Sequence, residues 1–161
     1  MKPTVFIQAN DRQLLGAKIS AHSYKKASAR ADSFDVKIMR VQDFPRLMQP
    51  GQSILRAGHV RDWDPDDLQS FTPLRFAPPS LLNYEGRALV TDPDCFGVGD
   101  VADLLERDMD GKAIMAVARP GHNQQPDYIA TSVMLLDYPM TTLNAVPPGS
   151  PVGAGDDLRN I

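Results

Sequence analysis

The first 41 residues constrain the fold more than any other part of the sequence, because they alternate between strand-like and helix-like patterns. Residues 4–9 are mostly apolar or β-branched and end at the polar pair Asn10-Asp11. Apolar side chains then recur at helical spacing at Leu14, Ala17, Ala21 and Tyr24. Residues 34–41 alternate in the manner of a second strand. A strand, a helix and a strand in this order predict two parallel strands joined by a right-handed crossover.

The rest of the sequence predicts further strands of the same sheet. We expect these strands over residues 86–91, 112–119 and 131–137, with a short helix over residues 100–106. Six prolines between residues 42 and 79 indicate a connector with only short helices, near residues 66–71 and around Leu74. The expected fold class is therefore α/β, with a mostly parallel sheet flanked by helices.

A change in composition after Tyr138 predicts a domain boundary. Residues 139–161 are rich in proline and glycine and show no sustained apolar period. We expect one α/β domain over residues 1–138 and a disordered tail over residues 139–161.

The strand predicted over residues 86–91 stops at Asp92-Pro93-Asp94, because Pro93 lacks the amide hydrogen that a central strand needs. Ligands of α/β folds bind at the carboxyl ends of the strands. Two aspartates at such an end can share Mg²⁺ or Mn²⁺ with water and substrate phosphates. An isolated Asp-x-Asp is also typical of a plain polar turn. The surrounding sequence therefore has to distinguish between the two.

Charge and cysteine content disfavour several classes of protein. The formal net charge is -3, which lacks the concentrated basic field of nucleic-acid or anionic-membrane binding. The N-terminal sequence has no apolar stretch typical of a signal peptide or a membrane span. Cys95 is the single cysteine, so no intramolecular disulfide can form, and a buried structural thiol fits better than a nucleophile. We expect a cytoplasmic protein with no nucleic-acid partner and no membrane span.

Residues 71–105 resemble the central sequence of family 8 glycosyltransferases. The elements that carry the resemblance are Arg75-Phe76 before Pro78, the apolar pair Leu89-Val90, Asp92-Pro93-Asp94, and Gly99-Asp100 before an apolar helix. Residues 5–24 are similar to that family's uridine-binding start, and residues 131–137 to the strand that lines its sugar pocket. The resemblance covers residues 3–138. It implies a GT-A-type, Rossmann-like fold that moves a sugar from a UDP-sugar donor to an unknown carbohydrate, lipid or protein acceptor. It also implies Mn²⁺ or Mg²⁺ and retention of anomeric configuration.

The resemblance implies roles for three charged side chains. Asp92 would contact the donor ribose and the metal, and Asp94 would bind the metal. Arg75 would steady the donor diphosphate or the Asp-x-Asp loop, as one of two catalytic residues. Arg75 also has an ordinary explanation as a surface ion-pair residue, because guanidinium groups are common in such pairs.

The resemblance implies further roles at the ends of two strands. Ala9, Asn10 and Asp11 would lie near the uracil, with Gln8 as a weaker candidate. Asp137 would meet a sugar hydroxyl, as the second catalytic residue. Helix capping explains Asn10 and Asp11 equally well, and turn formation explains Asp137.

The sequence departs from the family after residue 138. The family completes its metal shell with a histidine downstream of the strand at 131–137, whereas the histidines here are His22, His59 and His122. None of the three is expected to bind a metal. The family also continues with helices and an acceptor-binding region, so this chain is predicted to be truncated, with a sheet that is incomplete at its C-terminus. We expect exposed apolar edges of that sheet to allow self-association.

Two other functions are left open by these departures. One is a non-catalytic or degenerate remnant that keeps affinity for the nucleotide but transfers nothing. The other is an aspartate-nucleophile phosphohydrolase that would use Asp92 and Asp94 together with Gly155-Asp156-Asp157. The phosphohydrolase fits less well, because Cys95-Phe96 occupies the position where such a site requires a small or hydroxyl residue.

Overall fold

The computed structural model describes residues 1–56, 59–121 and 127–138. Within these ranges the strands are β1 (Thr4–Ala9), β2 (Asp35–Arg40), β3 (Ser53–Arg56), β4 (His59–Asp62), β5 (Gly86–Thr91), β6 (Ile114–Arg119) and β7 (Tyr128–Tyr138). The α-helices are α1 (Leu14–Ala27), α2 (Pro78–Leu81) and α3 (Val101–Leu105). Short 3₁₀ helices occupy Asp11–Gln13, Ala31–Ser33, Val41–Asp43 and Thr72–Phe76. The tail predicted over residues 139–161 lies outside the described residues.

Five strands form one sheet in the order β2-β1-β5-β7-β6. β1 pairs in parallel with both β2 and β5, whereas β7 pairs antiparallel with both β5 and β6. Four of the five described strands of this sheet therefore run in one direction, and β7 runs against them. The mostly parallel α/β fold is confirmed. β1 and β5 have the predicted bounds, and the bounds of the other predicted strands differ by one to three residues.

Both faces of the sheet are covered, so all six residues of β1 are buried. Side chains of successive strand residues point to opposite faces, and β1 therefore contributes to two cores. On one face, α1 and α3 pack against Val5 and Ile7. On the other face, Phe6 packs against the connector between β2 and β5, including Phe71 and Leu74.

The connector between β2 and β5 contains both a confirmed and a wrong prediction. The helix expected around Leu74 is present as the 3₁₀ helix Thr72–Phe76. The helix expected near residues 66–71 is wrong, because this segment forms turns. The carboxylates of Asp64 and Asp67 accept the N–H groups of the residues two positions later, at 2.9 and 2.7 Å. Such side-chain bonds compete with helical backbone bonds.

The hairpin of β3 and β4 was not predicted from the sequence. Its two strands pair antiparallel and are only four residues long. All four residues of β4 are exposed, so no alternation of apolar and polar residues marks it as a strand.

No helix in the described ranges is long and apolar enough to cross a membrane.

Candidate functional site

The carboxyl ends of β1 and β5 meet at one edge of the sheet. Ile7 pairs with Thr91, so the next residues, Gln8 and Asp92, lie side by side. Gln8 Nε2 donates a hydrogen bond of 2.5 Å to Asp92 Oδ1. Gln8 is 0% exposed, and its strand fixes the position of its amide. The first carboxylate of the Asp-x-Asp is therefore anchored at the edge where α/β folds bind ligands.

Arg75 reaches the same carboxylate from the 3₁₀ helix Thr72–Phe76, which has Pro73 in its first turn. Arg75 Nη2 lies 3.5 Å from Asp92 Oδ1, and Nη1 donates to Thr131 Oγ1 on β7. The Arg75 and Asp92 side chains are 14% and 19% exposed. This is a largely buried pair at the sheet edge, and not the ordinary surface ion pair that the sequence left open.

Burial opposes the charged form of both partners. It raises the pKa of Asp92, although the hydrogen bond from Gln8 and the charge of Arg75 act to lower it. The neighbouring Asp94 carboxylate raises the Asp92 pKa further. Burial also lowers the pKa of Arg75, against the charge of Asp92, which raises it. An additional positive charge at this edge would favour ionised Asp92.

The loop over residues 92–97 packs closely on α1. A Cβ atom at Gly16 would lie 3.2 Å from the carbonyl oxygen of Pro93. Further along the helix, Ser20 Oγ donates to a loop carbonyl at 2.5 Å, and Ser23 Oγ accepts from a loop N–H at 2.8 Å. These three small residues are spaced so that they share one helix face. This contact was not predicted from the sequence, although three small residues at helical spacing are the signal that could have indicated it.

Asp94 is exposed, next to the partly buried Asp92. In the described part of the chain, no group of three or more His, Cys, Asp or Glu residues could hold a metal ion. Gln8 Oε1 adds a buried oxygen that has no hydrogen-bond partner there. Mg²⁺ and Mn²⁺ prefer oxygen ligands and commonly keep water or substrate phosphates in their shell. The donor set fits an ion that is shared with a phosphate, and does not fit one held by the protein alone.

Cys95 and the histidines add no ligand to this donor set. Burial raises the pKa of the Cys95 thiol, and the charges of Asp94 and Asp92 raise it further. A thiol with a raised pKa is a poor nucleophile, in agreement with a structural role. His22 on α1 and His59 on β4 are both exposed. His122 lies outside the described residues.

Asn10 lies at the end of β1 and is 0% exposed. Its Oδ1 accepts a hydrogen bond of 3.1 Å from Gln13 N, so Asn10 caps the helical segment that leads into α1. Its Nδ2 donates to the Asp67 carbonyl at 2.8 Å and to Ser70 Oγ at 3.1 Å. The capping alternative therefore holds for Asn10, whose side chain also ties the connector to the sheet edge.

The other two residues predicted to lie near the uracil differ in exposure. Ala9 is buried as the last residue of β1. Asp11 is exposed, and its Oδ1 lies 2.6 Å from Arg40 Nη2. Both follow Gln8 at the edge that carries Asp92, so the structure places them next to the candidate site.

Asp137 lies away from the other predicted site residues. It pairs in register with Arg87 near the amino end of β5, whereas Asp92 follows the carboxyl end of that strand. Asp137 Oδ2 accepts a hydrogen bond of 2.5 Å from Arg87 Nη2, in an ion pair. At about 3.3 Å per residue, the length of β5 separates Asp137 from Asp92 by well over 10 Å. The structure does not bring these two carboxylates together.

Comparison with known proteins gives a fold likeness only. No protein-family model matches the sequence, and no curated protein matches it either. Among solved structures, 11 chains match. One is the crystal structure of the apo form of the glycosyltransferase GlyE from Streptococcus pneumoniae TIGR4, with a TM-score of 0.54 and 15% sequence identity. The match covers 85% of this chain but 34% of that chain, so this chain spans about a third of its length. The α/β fold described above is thus one that a solved glycosyltransferase also contains.

Proposed function

We propose that this chain is the donor-binding part of a glycosyltransferase that uses a UDP-sugar together with Mn²⁺ or Mg²⁺. One observation carries the proposal. Asp92 is held at the carboxyl edge of the sheet by Gln8 and Arg75, with the exposed Asp94 one residue beyond it. The fold likeness to GlyE and the resemblance of residues 71–105 to family 8 glycosyltransferases support the same assignment.

The roles proposed for these residues follow from how deeply each side chain is buried. Gln8 and Arg75 hold Asp92 in one orientation, so that Asp92 and Asp94 would bind the divalent cation from one side. When bound, the cation neutralises charge that develops on the departing diphosphate. Arg75 stabilises the same charge, since a guanidinium forms strong hydrogen bonds to phosphate oxygens. Ala9 and Asp11 would lie on the uracil side of the donor, whereas the proposed site leaves Asp137 out.

The family assignment, the retained configuration and the identity of the acceptor belong to this proposal. GlyE is a glycosyltransferase, but this chain matches only 34% of its length. The proposal includes both donor binding and transfer, and the two are measured separately. The non-catalytic alternative keeps the same site and predicts donor binding without transfer.

The test of the proposed function is turnover of labelled donors. The purified chain is incubated with a panel of radiolabelled UDP-sugars and Mn²⁺, with water or an acceptor mixture of carbohydrates, lipids and peptides. The proposal predicts release of UDP and movement of the label for at least one sugar, with both lost in Asp94→Ala. The control variant is Asp108→Ala, an exposed aspartate that lies beyond α3.

Two other outcomes would each favour one of the alternative functions. Donor binding without any release of UDP would favour the non-catalytic alternative. Phosphate release from a generic phosphoester, lost in Asp92→Ala, would favour the phosphohydrolase. The Gly155-Asp156-Asp157 segment that this last alternative needs lies outside the described residues.

A further inference from the structure

A cavity of about 140 Å³ lies between the hairpin of β3 and β4 and the turns that follow it. Its wall includes Trp63, three aspartates, and the side chains of Gln69 and Ser70. None of these residues was among the predicted site residues. The cavity is therefore distinct from the Asp92 site in its lining.

Trp63 gives the cavity an aromatic wall. The indole is partly buried and packs against the core formed by Phe6, Phe71 and Leu74. A ligand with an apolar face would pack against the part of the indole that lines the cavity.

The polar part of the wall supplies hydrogen-bond acceptors. Asp62, Asp64 and Asp67 line the cavity together with one cation, Arg61. Hydrogen bonds of 2.9 and 2.7 Å to backbone N–H groups fix the Asp64 and Asp67 carboxylates. Three carboxylates against one guanidinium disfavour an anionic ligand and favour one that donates hydrogen bonds. Carboxylates accept such bonds from hydroxyl groups at about twice the strength of neutral acceptors.

The cavity adjoins the Asp92 site along the chain and in space. Ser70, which lines the cavity, accepts a hydrogen bond from Asn10 at the carboxyl edge of β1. Thr72, also in the wall, begins the 3₁₀ helix that carries Arg75. Three residues of a 3₁₀ helix rise only about 6 Å. A ligand in the cavity would thus lie beside the proposed donor.

We propose that this cavity binds a neutral pyranose ring. The indole of Trp63 packs against the C–H face of the sugar, while the Asp62, Asp64 and Asp67 carboxylates accept hydrogen bonds from its hydroxyl groups. Sugar binding itself follows from the lining. That the sugar is the acceptor of glycosyl transfer rests on the function proposed above.

The chain contains one tryptophan, so tryptophan fluorescence reports on the surroundings of Trp63. The protein is titrated with methyl glycosides of glucose, galactose, mannose and N-acetylglucosamine, and with methyl glucuronide as the anionic comparison. The inference predicts a saturable change with at least one neutral glycoside and a weaker response to the glucuronide. Asp62→Asn should weaken binding of the neutral glycoside about ten-fold, since the accepting oxygen remains but loses its charge. The control Asp32→Asn changes an exposed aspartate outside the cavity and should bind like the parent.

A second variant guards against a fluorescence change that arises elsewhere. Trp63→Phe keeps an aromatic ring against the core but reduces the ring area that can pack against a sugar, and calorimetry should show weaker glycoside binding than in the parent. No saturable response to any neutral glycoside would overturn the inference, as would equal binding by Asp62→Asn. Stronger binding of the glucuronide would overturn it too. UDP and Mn²⁺ binding is measured in the same preparations, so that failure of the sugar site with retained UDP binding leaves the proposed function standing. Sugar binding without UDP binding would support the sugar site and count against the proposed function.

Discussion

At the scale of single residues, polar side chains at the sheet edge hold neighbouring segments in place by hydrogen bonds. The Asp-x-Asp motif alone does not predict these contacts. Asn10 is 0% exposed and uses both ends of its amide, one to cap a helix and the other to hold the connector. The side-chain amide of Gln8 donates a hydrogen bond to Asp92. The Asp-x-Asp therefore depends on neighbours from two other segments of the chain.

The first prediction concerns Asn10. Asn10→Ala removes a helix cap and leaves buried groups of the connector without partners, which should lower the free energy of unfolding by about 2–3 kcal/mol. Asp11→Ala removes an exposed ion pair from the adjacent position and should cost less than about 1 kcal/mol. Urea unfolding at neutral pH measures both variants. Equal losses in the two would contradict the structural role of Asn10.

The second prediction concerns pH. Asp100 caps α3 and accepts hydrogen bonds from Ser28 and Arg30, which lower its pKa from 3.8 to about 2. Because the folded-state pKa is depressed, the stabilisation is complete above about pH 4 and is lost as the pH falls from 3.8 towards 2. Asp100→Asn keeps a capping side chain but loses the charge. It should be less stable than the parent at pH 7, and the difference should vanish near pH 2.

Acid unfolding followed by circular dichroism measures this difference. Asp32→Asn, at an exposed aspartate, serves as the control and should follow the parent throughout. A gap between Asp100→Asn and the parent that persists unchanged to pH 2 would show that the loss is not due to the charge.

At the scale of elements, α1 holds the loop that carries the two aspartates. Gly16, Ser20 and Ser23 lie on the helix face that contacts this loop. Gly97, within the loop, passes so close to α1 that a Cβ there would lie 2.9 Å from a ring carbon of Tyr24 and 3.0 Å from its Cα. A helix this close restricts the loop to one path.

The third prediction tests this contact with a matched pair of glycines. Gly97→Ala forces the loop off the helix backbone, and overpacking of this kind costs about 1–3 kcal/mol. Gly99→Ala meets no atom within 4 Å and should change stability by less than about 0.5 kcal/mol. Thermal unfolding compares the two. A Gly97→Ala protein as stable as the Gly99→Ala protein would mean that the loop moves freely on α1.

At the scale of the whole molecule, most of the sheet could be predicted because its strands alternate or are uniformly apolar. β1 and β5 are buried on both faces. Residues that commonly end a strand, Asn10 and Pro93, follow them closely in the sequence. The hairpin of β3 and β4 could not be predicted, since its exposed residues carry no period. The Asp92 and Asp94 pair could be found from its place after a strand.

The residues that contact Asp92 and Arg75 lie far away in sequence, and the sequence indicated them only weakly. Gln8 is 84 positions from Asp92, and Thr131 is 56 positions from Arg75. Such contacts depend on strand order, which a single sequence does not state. For Asp137 the strand direction matters, because β7 runs antiparallel to β5 and its carboxyl end therefore lies beside Arg87, away from Asp92.

The fourth prediction concerns the edge strand of the sheet. Among the described strands β6 lies at the end of the sheet, and Ile114 and Val117 are 51% and 57% exposed along it. Exposed apolar edge strands favour association between chains. Self-association therefore stays our prediction, and Val117→Lys should shift the protein towards monomer in light scattering. Val98→Lys changes a valine that is 99% exposed in a loop, and should leave the association unchanged. A parent protein that is monomeric at all concentrations would contradict the prediction.

The central claim is that the edge around Asp92, Asp94 and Arg75 binds a nucleotide diphosphate together with a divalent cation. Calorimetric titration with UDP, with and without Mn²⁺, tests this claim most directly, in the parent and in Asp92→Ala/Asp94→Ala. The account predicts weak binding of Mn²⁺ alone, strong binding of UDP only with Mn²⁺, and loss of that binding in the double variant. UDP binding that is absent from the folded parent, or that is equal in the parent and the double variant, would contradict it.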